Sequence, residues 1–108
     1  MTVQELADKL SLKIFNIGNP KREITGGYCG DLLSWVMGRA EEGSAWVTIM
    51  SNRNVAAVAV MADTACIVLS ENVAPDDDML SKAIEEGLNV FGTEKSTFEI
   101  AKDIAKLL

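Results

Sequence analysis

Thr25-Gly26-Gly27-Tyr28-Cys29-Gly30-Asp31 is the stretch whose residue types best suit chemistry. Three glycines within five positions permit positive φ and close backbone approach, which a phosphate cradle uses. The spacing is neither GxGxxG nor GxxxxGK[ST], and no lysine follows it. A tight turn that needs glycine for packing accounts for it equally well. Cys29 beside Asp31 has the form of a reactive thiol, yet a neighbouring carboxylate disfavours the thiolate. The chain contains no histidine, so imidazole acid–base pairs, His metal ligands and an imidazole pH switch are excluded. Asp76, Asp77 and Asp78 could attract a hard cation. Consecutive residues on a first helical turn diverge, however, and the helix dipole explains them. No catalytic residue, metal or cofactor is therefore expected. Arg53, in the polar run Ser51-Asn52-Arg53-Asn54, is the cation best suited to clamp a carboxylate or phosphate.

These groups need elements to hold them. Thr2 with Glu5 forms a capping box, and Val3, Leu6, Ala7 and Leu10 follow at helical spacing, predicting a helix over residues 2–10. Lys13-Ile14-Phe15 reads as a short strand, Gly18-Asn19-Pro20 as a turn, and Glu23–Thr25 as a second strand running into Gly26-Gly27. Asp31 then caps a helix whose apolar face is Leu32, Leu33, Val36, Met37 and Ala40, and Gly43 closes the unit.

Beyond Gly43 the pattern becomes regular. Ala45–Met50 is strand-like, and Val55–Ala62 is apolar on every side, its alanines favouring a buried helix. Ala65–Leu69 is a buried strand. Pro75 with Asp76, Asp77 and Asp78 opens a helix with Met79, Leu80, Ala83 and Ile84 inward and Gly87 as its cap. Asn89-Val90-Phe91 is another short strand. Ser96 with Glu99 opens the last helix, with the stripe Phe98, Ala101, Ile104, Ala105 and Leu108. Alternating strands and helices with short links predict an α/β fold: a small layered domain over residues 1–108, with a largely parallel β-sheet flanked by helices. Open sheets of this kind take ligands at the carboxyl ends of their strands. There lie the loops Ser51–Asn54, Ser70–Asn72 and Gly92–Ser96, suited to an anion.

The stretch Lys21-Arg22-Glu23-Ile24-Thr25-Gly26-Gly27, continuing through Tyr28-Cys29-Gly30-Asp31-Leu32-Leu33-Ser34, resembles the DRTGG domain family. The likeness runs over the whole chain in its order of elements. Thr25-Gly26-Gly27 stands here, but Glu23-Ile24 replace the Asp-Arg that precedes it in the family's name. Such domains occur alone, between CBS domains of regulated pyrophosphatases and within some phosphotransacetylases, and are similar to the N-terminal domain of HPr kinase/phosphorylase. The resemblance implies a regulatory or assembly module without catalysis, commonly dimeric.

Composition sets further limits. Among 108 residues, 16 acidic against 10 basic give a net charge of −6, which argues against nucleic acid and anionic membranes as partners. An apolar fraction of 48% is ample for a core. No signal peptide and no spanning segment is legible, so a soluble cytoplasmic location is expected. Cys66, inside an apolar run, reads as a buried thiol. Trp35, Met37 and Arg39 are of the types enriched in interface cores and are the contact candidates of a two-fold homodimer. Together these readings predict a ligand-sensing module that binds a nucleotide or phosphorylated small molecule. Thr25, Gly26, Gly27, Tyr28, Asp31, Ser51, Asn52 and Arg53 are its candidate binding residues. The alternative is an assembly module that docks a partner protein and takes no small molecule.

Overall fold

Helical and strand segments alternate as the patterning predicts, with one reversal of direction. The structure, a computed structural model, describes residues 1–108. Its elements are α1 (Val3–Lys9), β1 (Lys13–Asn16), β2 (Gly26–Cys29), α2 (Leu33–Arg39), β3 (Ser44–Thr48), α3 (Arg53–Ala62), β4 (Cys66–Leu69), α4 (Asp77–Glu86), β5 (Val90–Gly92) and α5 (Thr97–Leu107). They build one five-stranded sheet in the order β1-β5-β4-β3-β2. The pairs β2–β3, β3–β4 and β4–β5 are parallel, whereas β1 runs antiparallel to β5. The sheet is thus mixed, and the amino end of β1 reaches the carboxyl edge of the parallel strands, with Lys13 opposite Gly92.

Every residue of β3 and β4 is buried, because helices cover both faces of the sheet. On one face α1 and α5 pack Leu6, Ile100 and Ile104 against Ala45, Val47, Val68 and Phe91. On the other, α2, α3 and α4 pack Val36, Val55, Met79 and Ala83 against Trp46, Ile67, Leu69 and Val90. Burying a large apolar side chain contributes roughly 1.5–3 kcal/mol. Wholly enclosed side chains such as Trp46 and Phe91 therefore anchor the two layers.

The caps follow the local chemistry. Thr2 closes its capping box with Glu5, and the side chains of Asn52, Asp76 and Ser96 accept backbone N–H groups at the starts of α3, α4 and α5. Gly87 ends α4 at φ +66°.

Several expectations give way. The second strand is Gly26–Cys29 rather than Glu23–Thr25; Glu23 makes only an isolated bridge to Thr2. Ile24 is drawn toward the amino terminus through its N–H to the Met1 carbonyl, so pairing with β3 starts only at Gly26. Gly26, Gly27 and Gly30 are therefore not positive-φ turn residues; among the glycines only Gly43 and Gly87 have positive φ. Asp31 does not cap α2, whose N-cap is Leu32 without a side-chain bond. In α2 only Val36 is fully buried, while Leu32 and Met37 are exposed. Ile84 of α4 is also exposed.

Candidate functional site

The carboxyl ends of β4 and β5 are bound into one rim by their own loops. The N–H groups of Glu71 and Asn72 donate to the carbonyls of Lys95 and Thr93, and Thr93 N–H donates to the Leu69 carbonyl. Glu71 and Asn72 hold φ near +60° to make that reversal, and Ser70 Oγ lies 2.7 Å from Thr97 Oγ1. Beside this rim the reversed β1 supplies Lys13 and Phe15, both on the same side of its strand.

Between them opens a cavity of about 480 Å³, lined by Lys13, Phe15, Asn72, Val73, Thr93 and Lys95 among others. The Lys13 ammonium stands 5.1 Å from the centroid of the Phe15 ring. Gly92 lies under that ring, and a Cβ there would fall 2.5 Å from the Phe15 edge and force the ring to shift. Lys95 donates to Asp103 Oδ2 at 2.6 Å. That bond holds the ammonium above its ordinary pKa and the carboxyl below its own. The Lys13 ammonium, an aromatic ring and the Thr93 and Asn72 side chains, with Lys95 paired to Asp103 and the Glu94 carboxylate also in the lining, suit a ligand with one polar, partly anionic and one planar or apolar part.

The expected binding residues are spread more widely. Thr25 sits at the amino end of β2, where its hydroxyl and N–H donate to the carbonyls of Glu42 and Gly43. Asp31 lies beyond the carboxyl end, about 20 Å away at the rise of an extended chain. Gly26 through Cys29 is thus a strand crossing the sheet, with Thr25 and Asp31 at its opposite ends. Asp31 accepts from Thr48 Oγ1 at 2.7 Å and from Ile49 N–H at 3.0 Å, tying β2 to the end of β3.

Ser51 gives its carbonyl to Asp76 N–H, and Asn52 caps α3 through Asn54 N–H. Arg53 is exposed in the first turn of α3 and lines no cavity. Gly27 and Tyr28 line a different, apolar groove beneath α5. Burial first, then the Asp31 charge, pushes the Cys29 thiol above its ordinary pKa even though part of the side chain is exposed.

Trp46 fills the core and donates its indole N–H to the Gly30 carbonyl. Trp35 remains 51% exposed, with the Arg39 guanidinium 3.7 Å above its ring. Sequence reasoning missed Lys13 and Phe15, because a β1 parallel to its neighbours would start at the other edge. Their one signal was the Lys-x-Phe alternation of a strand with a glycine opposite it.

The profile of the DRTGG domain family matches residues 29–107. The chain belongs to the DRTGG domain family. The matched stretch starts at Cys29, so Thr25-Gly26-Gly27 falls outside it. Among solved structures, the fold is similar to the CBS and DRTGG domains of the regulatory region of Clostridium perfringens pyrophosphatase, crystallised with its activator diadenosine tetraphosphate. The TM-score is 0.73 at 13% sequence identity, over 94% of this chain and 44% of that one. The chain thus spans less than half of that regulatory region. No curated protein matches the chain. No helix is long and apolar enough to cross a membrane.

Proposed function

We propose that the chain is a non-catalytic, ligand-sensing regulatory module of the cytoplasm. It works as a homodimer and binds an anionic small molecule, a nucleotide or a phosphorylated metabolite, at the carboxyl edge of its sheet. The observation that carries this reading is the cavity holding Lys13, Lys95 and Phe15 at the edge where open α/β sheets receive ligands. The nucleotide activator bound by the pyrophosphatase regulatory region lends support to that ligand class. Ser51, Asn52 and Arg53, with Tyr28 and Asp31, stay as the second set of candidate binding residues. Trp35, Met37 and Arg39 are the candidate contacts of α2 in the dimer. The exposed Trp35 and Met37 favour the alternative reading, in which that face docks a partner protein.

Native mass spectrometry followed by calorimetric titration with adenine nucleotides and inorganic phosphate tests the assignment. Saturable binding is expected, weakened at least about tenfold by Lys13→Ala or Lys95→Ala, the loss of one charge-assisted contact. Binding lost in Arg53→Ala but kept in both lysine variants moves the ligand to the Ser51–Arg53 loop. Indifference to every compound sinks the sensing reading in favour of assembly.

A further inference from the structure

A second cavity, of about 260 Å³, lies at the opposite edge of the sheet from the Lys13 cavity, where β4 and β5 begin. Its walls include Ala59 and Asp63 at the end of α3, Glu86 and Gly87 at the end of α4, and Thr64 and Leu88 in the links that follow. Two helices thus turn their carboxyl ends, the negative ends of their dipoles, toward one place.

The residues at those ends run against the dipole. A last helical turn favours cations and disfavours carboxylates, and the other helices obey, with Lys9 in α1, Arg39 in α2 and Lys106 in α5. By contrast α4 closes on Glu85-Glu86 and α3 is capped by Asp63, with no basic residue in the last turn of either. Local preferences broken together at one place mark a functional site more often than chance. Arg22 answers the α3 end from outside the helix. Its guanidinium donates to the Asp63 carboxylate at 2.9 Å and to the Asp63 carbonyl at 3.1 Å. The α4 end has no such visitor; Glu86 has only Lys82, one turn back in its own helix, at 3.0 Å.

Thr64 gives an independent sign. It is only 7% exposed and lines the cavity, yet its hydroxyl exchanges no hydrogen bond with any group of the chain. Every side-chain oxygen or nitrogen sealed from solvent in this protein has a partner. The Thr64 oxygen is therefore not sealed, and the space it opens on is the cavity.

We propose that this cavity binds a small organic ammonium ion, its nitrogen held among the Thr64 hydroxyl and the Asp63 and Glu86 carboxylates, its carbon chain against Ala59 and Leu88. A primary ammonium has three donors and no acceptor, matching a site of hydroxyl, carboxylate and helix-end carbonyl oxygens. A metal ion suits it less, since no three Asp, Glu or Cys side chains converge to hold one. An anion suits it less still, because Arg22 is already bonded to Asp63. The volume admits a chain of a few carbons rather than a nucleotide.

The site is separate from the Lys13 cavity and does not depend on it. Titration of nitrogen-15-labelled protein with n-butylammonium at constant ionic strength tests it by NMR, with tetramethylammonium as an equal charge lacking N–H donors. Saturable shifts are expected in the amides of Asp63–Ala65 and Glu86–Asn89, from butylammonium alone. Thr64→Val and Glu86→Gln should each weaken binding about tenfold, the loss of one hydrogen bond to a charged group. Thr64→Val strands no partner, so its spectrum should match the wild type away from the cavity. Lys13→Ala should bind butylammonium as the wild type does. Equal shifts from both cations, or shifts that never saturate, would reveal only the general pull of a chain of net charge −6 and overturn the site. Affinity unchanged in both Thr64→Val and Glu86→Gln would overturn it as well.

Discussion

Single side chains hold this small fold at a few decisive points, and Asn89 is the clearest. Only 4% exposed, it accepts from Asn19 N–H and donates to the carbonyls of Asn19 and Ala65, joining the turn after β1 to the start of β4. Asn89→Ala would take this donor from the buried Ala65 carbonyl and untie the exposed Asn19 turn. A loss of about 1–3 kcal/mol is expected in urea denaturation, the range for a buried hydrogen-bonding group left unsatisfied. The two thiols should separate as sharply. Burial pushes Cys66 up to about 12, and it has no path to solvent. Iodoacetamide should therefore add once to the native protein, at Cys29, and twice only in denaturant. A second native adduct, read by mass spectrometry, would show that the β4 layer opens.

At the scale of elements, the helix starts were the most readable feature. Thr2, Asp76 and Ser96 stand where hydroxyl or carboxylate chemistry predicts them, because capping depends on residues three or four positions apart. Ser96→Ala is expected to cost about 1 kcal/mol, measured by thermal melting, through loss of its bond from Glu99 N–H. Asp31 shows the limit of such reasoning. It has the form of a cap, but the Thr48 hydroxyl and Ile49 amide, which compete for it, become neighbours only once β2 and β3 pair. Gly26 and Gly27 likewise read as a turn by propensity, and strand pairing overrides that local preference. The α5 stripe was correct in type and displaced in phase, since Ile100 joins Ile104 in the core while Phe98 and Leu108 are exposed. The candidate site was legible only in part: the Ser70–Asn72 and Gly92–Ser96 loops were placed on the carboxyl edge. Lys13 and Phe15 were not, because strand direction leaves no mark on a four-residue segment.

For the whole molecule, acid should be the weakest condition. Asp63, bonded to Arg22, and Asp103, bonded to Lys95, sit below their ordinary value of 3.8. Glu5, bonded by the Thr2 N–H and hydroxyl, sits below 4.5. A carboxyl with a lower pKa folded than unfolded adds stability that is fully present above the unfolded value and lost as pH falls through the folded one. The melting temperature should hold steady near neutrality and drop below about pH 4. Asp63→Asn and Asp103→Asn should each flatten that drop, and an unchanged acid limb in both would locate it elsewhere.

The pairing of β1 with β5 also bears on how the chain finds its structure. The first strand to be synthesised has the last one as its sole neighbour in the sheet. Until Val90–Gly92 exist and are seated, Lys13–Asn16 has no ladder to join and Phe15 no glycine to lie over. Closing so long a loop is entropically costly and slow, so the β1 arm should dock after β2 through β5 have assembled. Phe15→Leu should then speed unfolding while leaving the folding rate nearly unchanged in stopped-flow measurements. The cavity beside Phe15 would be the last part of the molecule to form and the first to open.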